Sequence, residues 1–215
     1  MALRRGTIAV LIALWQPLMF VLTRPDSKKL QGILERESLS SPTYKEVALT
    51  KDAGRPGATD YYVHEIAIEL GTGQATFDRA YEALRDWEHF ACGWTFLYPT
   101  KPAIEAGTTL IVYANHIFVW SINSCRIIYV IDDDDGTVKR FGYGYGTLPV
   151  HSESGEERFL IEWDRKLNVC KYEIRAFSRS NNPLVSLAWP LAKAIQDQFR
   201  QQSTRALFSA VNNVV

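Results

Sequence analysis

Between Arg140 and Phe159 the chain reads RFGYGYGTLPVHSESGEERF, with glycine at 142, 144 and 146 alternating with Phe141, Tyr143 and Tyr145. Alternation with period two is the pattern of a strand, because successive side chains point to opposite faces of a sheet. One face of this strand is therefore aromatic and the other is bare. A bare face permits strong curvature and the close approach of another part of the molecule to the backbone. Few architectures call for such a strand: the sheet must bend and must be covered. The segment closes with a Leu-Pro pair, His151 and the run Gly155-Glu156-Glu157, which gathers polar groups at a strand end.

The surrounding pattern supplies the rest of the sheet. His64, Ile66, Ile68 and Leu70 alternate with Val63, Glu65, Ala67 and Glu69, as in a half-buried strand. Phe77, Tyr81, Leu84 and Trp87 then recur at helical spacing, ahead of Gly93. Strands are expected at 94–97, 108–115, 117–122, 125–132, 138–147, 156–164 and 169–178, with Asp135-Gly136 as a turn. Short connections between them indicate an antiparallel meander. The chain closes with an amphipathic helix whose apolar stripe is Leu184, Leu187, Leu191, Ile195, Phe199, Leu207 and Val211, with Pro190 as a kink or first-turn residue. The expected fold is α+β of the helix-grip kind: a curved antiparallel sheet wrapped around a long C-terminal helix. The glycines are then assigned to sheet curvature and to close approach of that helix.

The amino terminus is set apart. Arg4 and Arg5 precede an apolar run from Gly6 to Leu22, and no acid appears before Asp26. This reads as an anchor or targeting helix over 1–23, with a buried helix as the alternative. It would place the chain at a membrane or direct it to a compartment. Residues 24–60, broken by prolines and glycines, read as linker or lead-in, with one short helix around Leu30, Ile33 and Leu34. The helix-grip domain is then expected over 61–215.

Formal net charge is zero and no basic run occurs, which argues against nucleic acid as a partner. Cys92, Cys125 and Cys170 are odd in number and widely spaced, so they read as buried apolar residues in a reducing compartment. No phosphate loop, G-x-S-x-G or H-E-x-x-H motif is present. Asp132 to Asp135 lack the spacing of a calcium loop and read as a solvated hairpin turn. No cofactor and no metal site is expected.

An ordered set of short motifs carries a family resemblance. The pieces are Leu70-Gly71-x-Gly73, then Phe77, Ala80, Ala83-Leu84 and Trp87; Gly93-Trp94; Cys125-Arg126; Phe141-Gly142-Tyr143-Gly144 with Gly146-Thr147-Leu148; His151 with Ser154-Gly155-Glu156-Glu157; and Ala176-Phe177-Ser178. Together they resemble a family of uncharacterised bacterial and plant proteins that carry a domain of unknown function. That family is similar to the START-like, pollen-allergen-like group of helix-grip folds. The resemblance implies an apolar ligand held in a cavity between sheet and helix. Plant members are similar to proteins associated with the chloroplast outer envelope and ion conduction, and the amino-terminal apolar run lies outside the shared pattern.

Three functions are weighed. The first is a binding module for a small apolar or amphipathic molecule, with Tyr143, Tyr145, Trp94 and Phe199 as walls and Arg126 or His151 as a polar contact. The second is a membrane-associated channel or transport component, held through residues 6–22. The third is an enzyme in which His151 acts as acid or base with Glu156 or Glu157. Against the third, Glu156 and Glu157 point to opposite faces of a strand. A plain structural role for the loop, with a glutamate paired to Arg158 or Arg126, is the simpler account of that cluster. Arg175 and Glu173 are expected on the solvent face.

Overall fold

A computed structural model describes residues 19–52, 61–181 and 189–212, the side chains of 189–192 excepted. Most of the anchor or targeting segment, and Leu184 and Leu187 of the helical stripe, lie outside the described residues. The elements are β1 (Phe20–Val21), α1 (Ser27–Glu37), β2 (Tyr62–Thr72), α2 (Gly73–Arg85), a 3₁₀ turn (Glu88–Phe90), β3 (Thr95–Tyr98), β4 (Thr109–Asn115), β5 (Trp120–Asp134), β6 (Val138–Thr147), β7 (Glu153–Asp164), β8 (Val169–Ser180) and α3 (Trp189–Asn212). All eight strands form one antiparallel sheet in the order β2-β8-β7-β6-β5-β4-β3, with β1 added to β5. The fold is α+β and helix-grip, with α2 and α3 on the concave face.

The two strands expected at 117–122 and 125–132 are one strand, β5, with an irregularity between Ile127 and Tyr129. Its sequence CRIIYVI is apolar on both faces because both faces are covered, as in a strand buried within layers. Cys125 and Ile127 pack inward with Leu110, Phe141, Tyr143, Phe159, Tyr172 and Ile174. Ile122 packs outward with Ile111, Tyr113 and, from α1, Leu30 and Ile33. Burying Leu30 and Ile33 contributes about 3–6 kcal/mol at roughly 1.5–3 kcal/mol per large aliphatic side chain. Cys125 and Cys170 are buried free thiols, as expected, whereas Cys92 is a free thiol only half-buried.

The described part of 24–60 is therefore more than linker. Asp26 caps α1 by accepting from the Lys29 amide at 2.8 Å. Residues 39–52 then lie across the outer face of the sheet. The amino-terminal run also changes character before its expected end: Met19 is buried, and Phe20–Val21 pair with Trp120 and Ser121. β6 reaches only as far as Cys125 along β5, so the start of β5 has a free edge that β1 fills. Residues 6–18 of the apolar run lie outside the described residues. Among the described residues no helix is long and apolar enough to cross a membrane.

The bare face of β6 looks outward, away from α3. A Cβ on Gly144 would lie 2.4 Å from the Tyr129 ring, and one on Gly146 would lie 2.0 Å from the Tyr44 hydroxyl. The glycines thus admit two aromatic side chains, one from β5 and one from the 39–52 segment. The expectation that they admit the terminal helix is corrected, because that helix packs on the opposite, aromatic face.

Candidate functional site

The concave face holds a cavity of about 530 Å³ between the sheet and α3. Its apolar wall includes Phe90, Trp94, Val112, Ala114, Ile195 and Phe199. Its polar end includes His151, Glu153, Glu157, Gln196 and Arg200. Strand period and helix period create this division together. On β7, residues 153, 155 and 157 point inward. On α3, Ile195, Phe199, Ser203, Leu207 and Val211 repeat every fourth residue along one stripe. Towards its end the stripe is packed solid, with Leu207 and Val211 in the core. Nearer its start it stands off the sheet, and the gap is the cavity.

The sequence-derived residues separate in this geometry. Trp94, Tyr145, Phe199 and His151 line the cavity. Tyr143 does not: it is fully buried under the 3₁₀ turn, and its hydroxyl lies 2.7 Å from His89 Nε2. Arg126 is on the outer face. Its guanidinium donates to the carbonyls of Glu37, Ser38 and Ser40 at 2.8–2.9 Å, where it caps the carboxyl end of α1. One residue's shift along β5 reverses the face, so Arg126 follows Ile122 and Ser124 outward while Cys125 points in. Both residues were expected to touch ligand, and their surroundings assign them to the structure instead.

Glu156 and Glu157 point to opposite faces, as their adjacency requires. Glu156 is buried on the outer side and accepts from the Tyr44 hydroxyl (2.7 Å), the Ala48 amide (2.8 Å), the Thr50 amide (2.9 Å) and the Thr50 hydroxyl. Its carboxylate holds the 39–52 segment to the outer face of the sheet, away from the His151 ring. Burial, then the Glu156 carboxylate, hold the Tyr44 phenol far above its ordinary range. The expected pairing with Arg158 or Arg126 is not made: Arg158 is bonded to Glu173, and Arg175 to Glu65. Arg175, expected with Glu173 on the solvent face, is mostly buried, as is Arg158, because the 39–52 segment and neighbouring strands cover that face.

Inside the cavity, Glu157 Oε2 accepts from the Tyr145 hydroxyl at 2.8 Å, and Oε1 lies 3.4 Å from Arg200 Nε. That ion pair is close but poorly aligned, so Nε has no hydrogen-bond acceptor among the described residues. Arg200 also reaches Asp197 Oδ1 and Gln196 Oε1, each at 3.3 Å. Glu153 accepts from Gln196, and burial pushes its carboxyl up from the ordinary range. His151 Nδ1 accepts from the Glu153 amide at 3.0 Å, which leaves the proton of the neutral ring on Nε2. Burial lowers the pKa of His151 to about 4, so the ring is neutral near pH 7. Among the described residues no cluster of three or more His, Cys, Asp or Glu is placed to hold a metal ion.

Residues 43–206 match a family described as "Domain of unknown function (DUF1990)". The chain belongs to this family. The DUF1990 match begins at Thr43 and so takes in the Tyr44–Thr50 segment that Glu156 holds. The chain is similar to a UPF0548 protein of Dictyostelium discoideum, 30% identical over 91% of this chain and 97% of that one. It is similar also to UPF0548 proteins of Deinococcus radiodurans (31% identical, 89% and 98% covered) and Arabidopsis thaliana (28%, 88% and 96%). Solved structures that resemble it include a hypothetical protein from Helicobacter pylori, with TM-score 0.49 and 13% identity over 80% of this chain and 100% of that one. Another is a major latex-like protein from Panax ginseng, with TM-score 0.43 and 11% identity over 71% and 99%.

Three features of the site escaped the sequence reading. Gln196 and Arg200 sit beside the helix stripe at i and i+4, but polar residues at the edge of a stripe do not reveal whether they meet a cavity or water. Glu37 is fully buried and accepts from the Ser124 hydroxyl (2.7 Å) and the Val150 amide (2.8 Å), fixing the loop that carries His151. His89 is buried among Trp87, Phe90, Phe159 and Tyr172. A lone His beside a predicted helix end carries no signal for that burial.

Proposed function

We propose that this protein is a binding module for a small apolar or amphipathic molecule, held between the concave face of the sheet and α3. The observation that carries this reading is the cavity itself, about 530 Å³ with aromatic and aliphatic walls and one polar end. A volume of that order suits a compact organic ligand, and convergence of a few polar groups in an apolar pocket is what orients one. Trp94, Tyr145 and Phe199 supply contact area at low entropic cost, since each has only two side-chain torsions to fix. The neutral His151 and the Arg200–Glu157 pair supply hydrogen bonds at one end. Ligand burial would contribute roughly 25 cal/mol per Å² of apolar surface before the cost of immobilising the ligand is subtracted.

Native mass spectrometry of the protein purified without detergent tests this reading. The expected spectrum contains a population one small molecule heavier than the bare chain, which collapses to the bare mass on mild activation. A single bare species, together with no retained small molecule after exposure to a mixed metabolite extract, would overturn it.

A further inference from the structure

The polar end of the cavity is unbalanced in a specific way: its acceptors are occupied and two of its donors are not. Glu157 already accepts from Tyr145 and faces Arg200. Glu153 already accepts from Gln196. Arg200 has a side chain only 7% exposed, lines the cavity, and carries an Nε–H that is buried without an acceptor among the described residues. His151 lines the same cavity, and with Nδ1 engaged by the Glu153 amide its Nε2–H has no partner among the described residues. Arg200 Nε is buried, and a buried donor left unpaired costs free energy until an acceptor meets it; His151 is half-buried, and its Nε2–H loses access to water once a ligand covers it. From these two unmatched donors and the mutually neutralising Arg200–Glu157 pair, we infer that the cavity takes an uncharged ligand whose polar head is a hydrogen-bond acceptor, such as a ketone, ester or amide carbonyl. This rests on the binding-module reading above and names the ligand class for that same cavity.

Charge argues against the alternatives. A carboxylate brought to Arg200 would also meet Glu157, whose Oε1 lies 3.4 Å from the same guanidinium. Its own desolvation would then be offset by a cation already compensated. An ammonium head would find acceptors in Glu153 and Glu157, but it would face the guanidinium and, having no lone pair, would leave both free donors unmatched. A wholly apolar ligand would fill the aromatic wall but seal off Arg200 Nε and His151 Nε2 unpaired. Only an uncharged acceptor satisfies the donors without stranding a charge.

Four probes with one aromatic body and different heads test the inference: 2-acetonaphthone, 2-ethylnaphthalene, 2-naphthoate and 2-naphthylmethylammonium. Binding is followed by Trp fluorescence and calorimetry near pH 7. The ketone is expected to bind at least about tenfold tighter than each of the other three, which is ~1.4 kcal/mol. In the double variant Arg200→Gln with Glu157→Gln, which removes the ion pair without changing the cavity's net charge, the ketone's advantage over 2-ethylnaphthalene is expected to fall to about threefold or less. His151→Phe, which spares the ion pair, is expected to reduce that advantage in part, and it decides the matter if the double variant does not fold. Equal or tighter binding of the naphthoate or the ammonium overturns the inference while leaving the binding-module reading intact. So does a ketone that binds no better than its ethyl counterpart. Failure of all four to bind overturns the binding-module reading and this inference with it.

Discussion

Replacing Glu156 with Gln separates the structural role of the glutamate pair from any chemical one. In the wild type its carboxylate receives four hydrogen bonds, two from backbone amides of Ala48 and Thr50 and two from the hydroxyls of Tyr44 and Thr50. Gln keeps the shape but turns one acceptor oxygen into an NH₂ that points at donors. Hydrogen bonds to a charged group are worth roughly 1.5–3 kcal/mol each, and losing a partner strands the donor. Two of the four are lost, and part of the loss is recovered when water reaches the loosened segment, so the expected cost is about 3 kcal/mol. For a chain of this length that is a fall in Tm of roughly 6–12 °C. Lys45 lies within the Tyr44–Thr50 stretch that Glu156 holds and Lys51 directly follows it, so trypsin cleavage there in the native state reports its release directly. The variant is expected to be cut faster at both sites, while Lys45→Ala, an exposed neighbour, stays within about 0.5 kcal/mol of wild type. A variant with wild-type Tm and wild-type trypsin resistance would refute the reasoning, because a buried acceptor of four bonds cannot be dispensable.

The remaining predictions bear on other parts of the molecule. Burial lowers the pKa of His89 to about 3 from an ordinary 6.5, so the folded state excludes a proton that the unfolded chain binds; its stability contribution is complete above pH 6.5 and is lost as pH falls from there towards 3, by about 2 kcal/mol at pH 5. Urea unfolding at pH 7.5 and pH 5.0 should show this loss, and His89→Gln should remove that share while the shares of His151 and His64, both lowered to about 4, remain; an acid limb unchanged by the substitution would contradict the assignment. A Cβ on Gly142 would lie 2.3 Å from the Phe159 carbonyl oxygen and one on Gly155 2.0 Å from that of Phe177. Alanine at either site should cost about 2 kcal/mol or more in chemical denaturation, since backbone in a paired strand cannot retreat. Arg126→Met should lower stability by about 2 kcal/mol through the lost cap on α1 and leave probe affinity in the cavity unchanged within about twofold; a selective loss of binding would return Arg126 to the ligand site.

Much of the fold was legible because period carries it. The alternation in β2, β6 and β8 and the i, i+4 stripe of α3 each follow from one buried face, and a sheet with a long terminal helix has few ways to bury both. The outer layer was not legible for a physical reason. Prolines and glycines in 24–60 mark irregular backbone, but irregular backbone can still pack, and what holds residues 39–52 is hydrogen bonding to Glu156 rather than an apolar pattern. The signal that pointed to it was the two-sided apolarity of β5, CRIIYVI, which requires cover on both faces. The bare face of β6 was correctly read as a place of close approach, but period alone does not say which face of a strand is outermost. At the site, alternation put Tyr145 on the inward face and helical spacing put Phe199 on the stripe, whereas Trp94 and His151 came from the family resemblance to helix-grip folds. Tyr143 shares the face of Tyr145 one pleat further on, where α2 and the 3₁₀ turn close the gap. Whether an inward aromatic residue meets a cavity or a packed core depends on the distance between layers, which no local pattern encodes.

The central claim is that the space between sheet and α3 holds a ligand. Fluorescence titration with N-phenyl-1-naphthylamine, an uncharged environment-sensitive probe, tests it against a variant in which the space is filled. Ala176 is buried and lines the cavity from β8, so Ala176→Phe occupies it from a rigid strand. The account predicts saturable binding of one probe per chain in the wild type and at least about a tenfold loss of affinity in the variant, ~1.4 kcal/mol, with circular dichroism unchanged. Equal affinity in both proteins, or no saturable binding in the wild type, would contradict it.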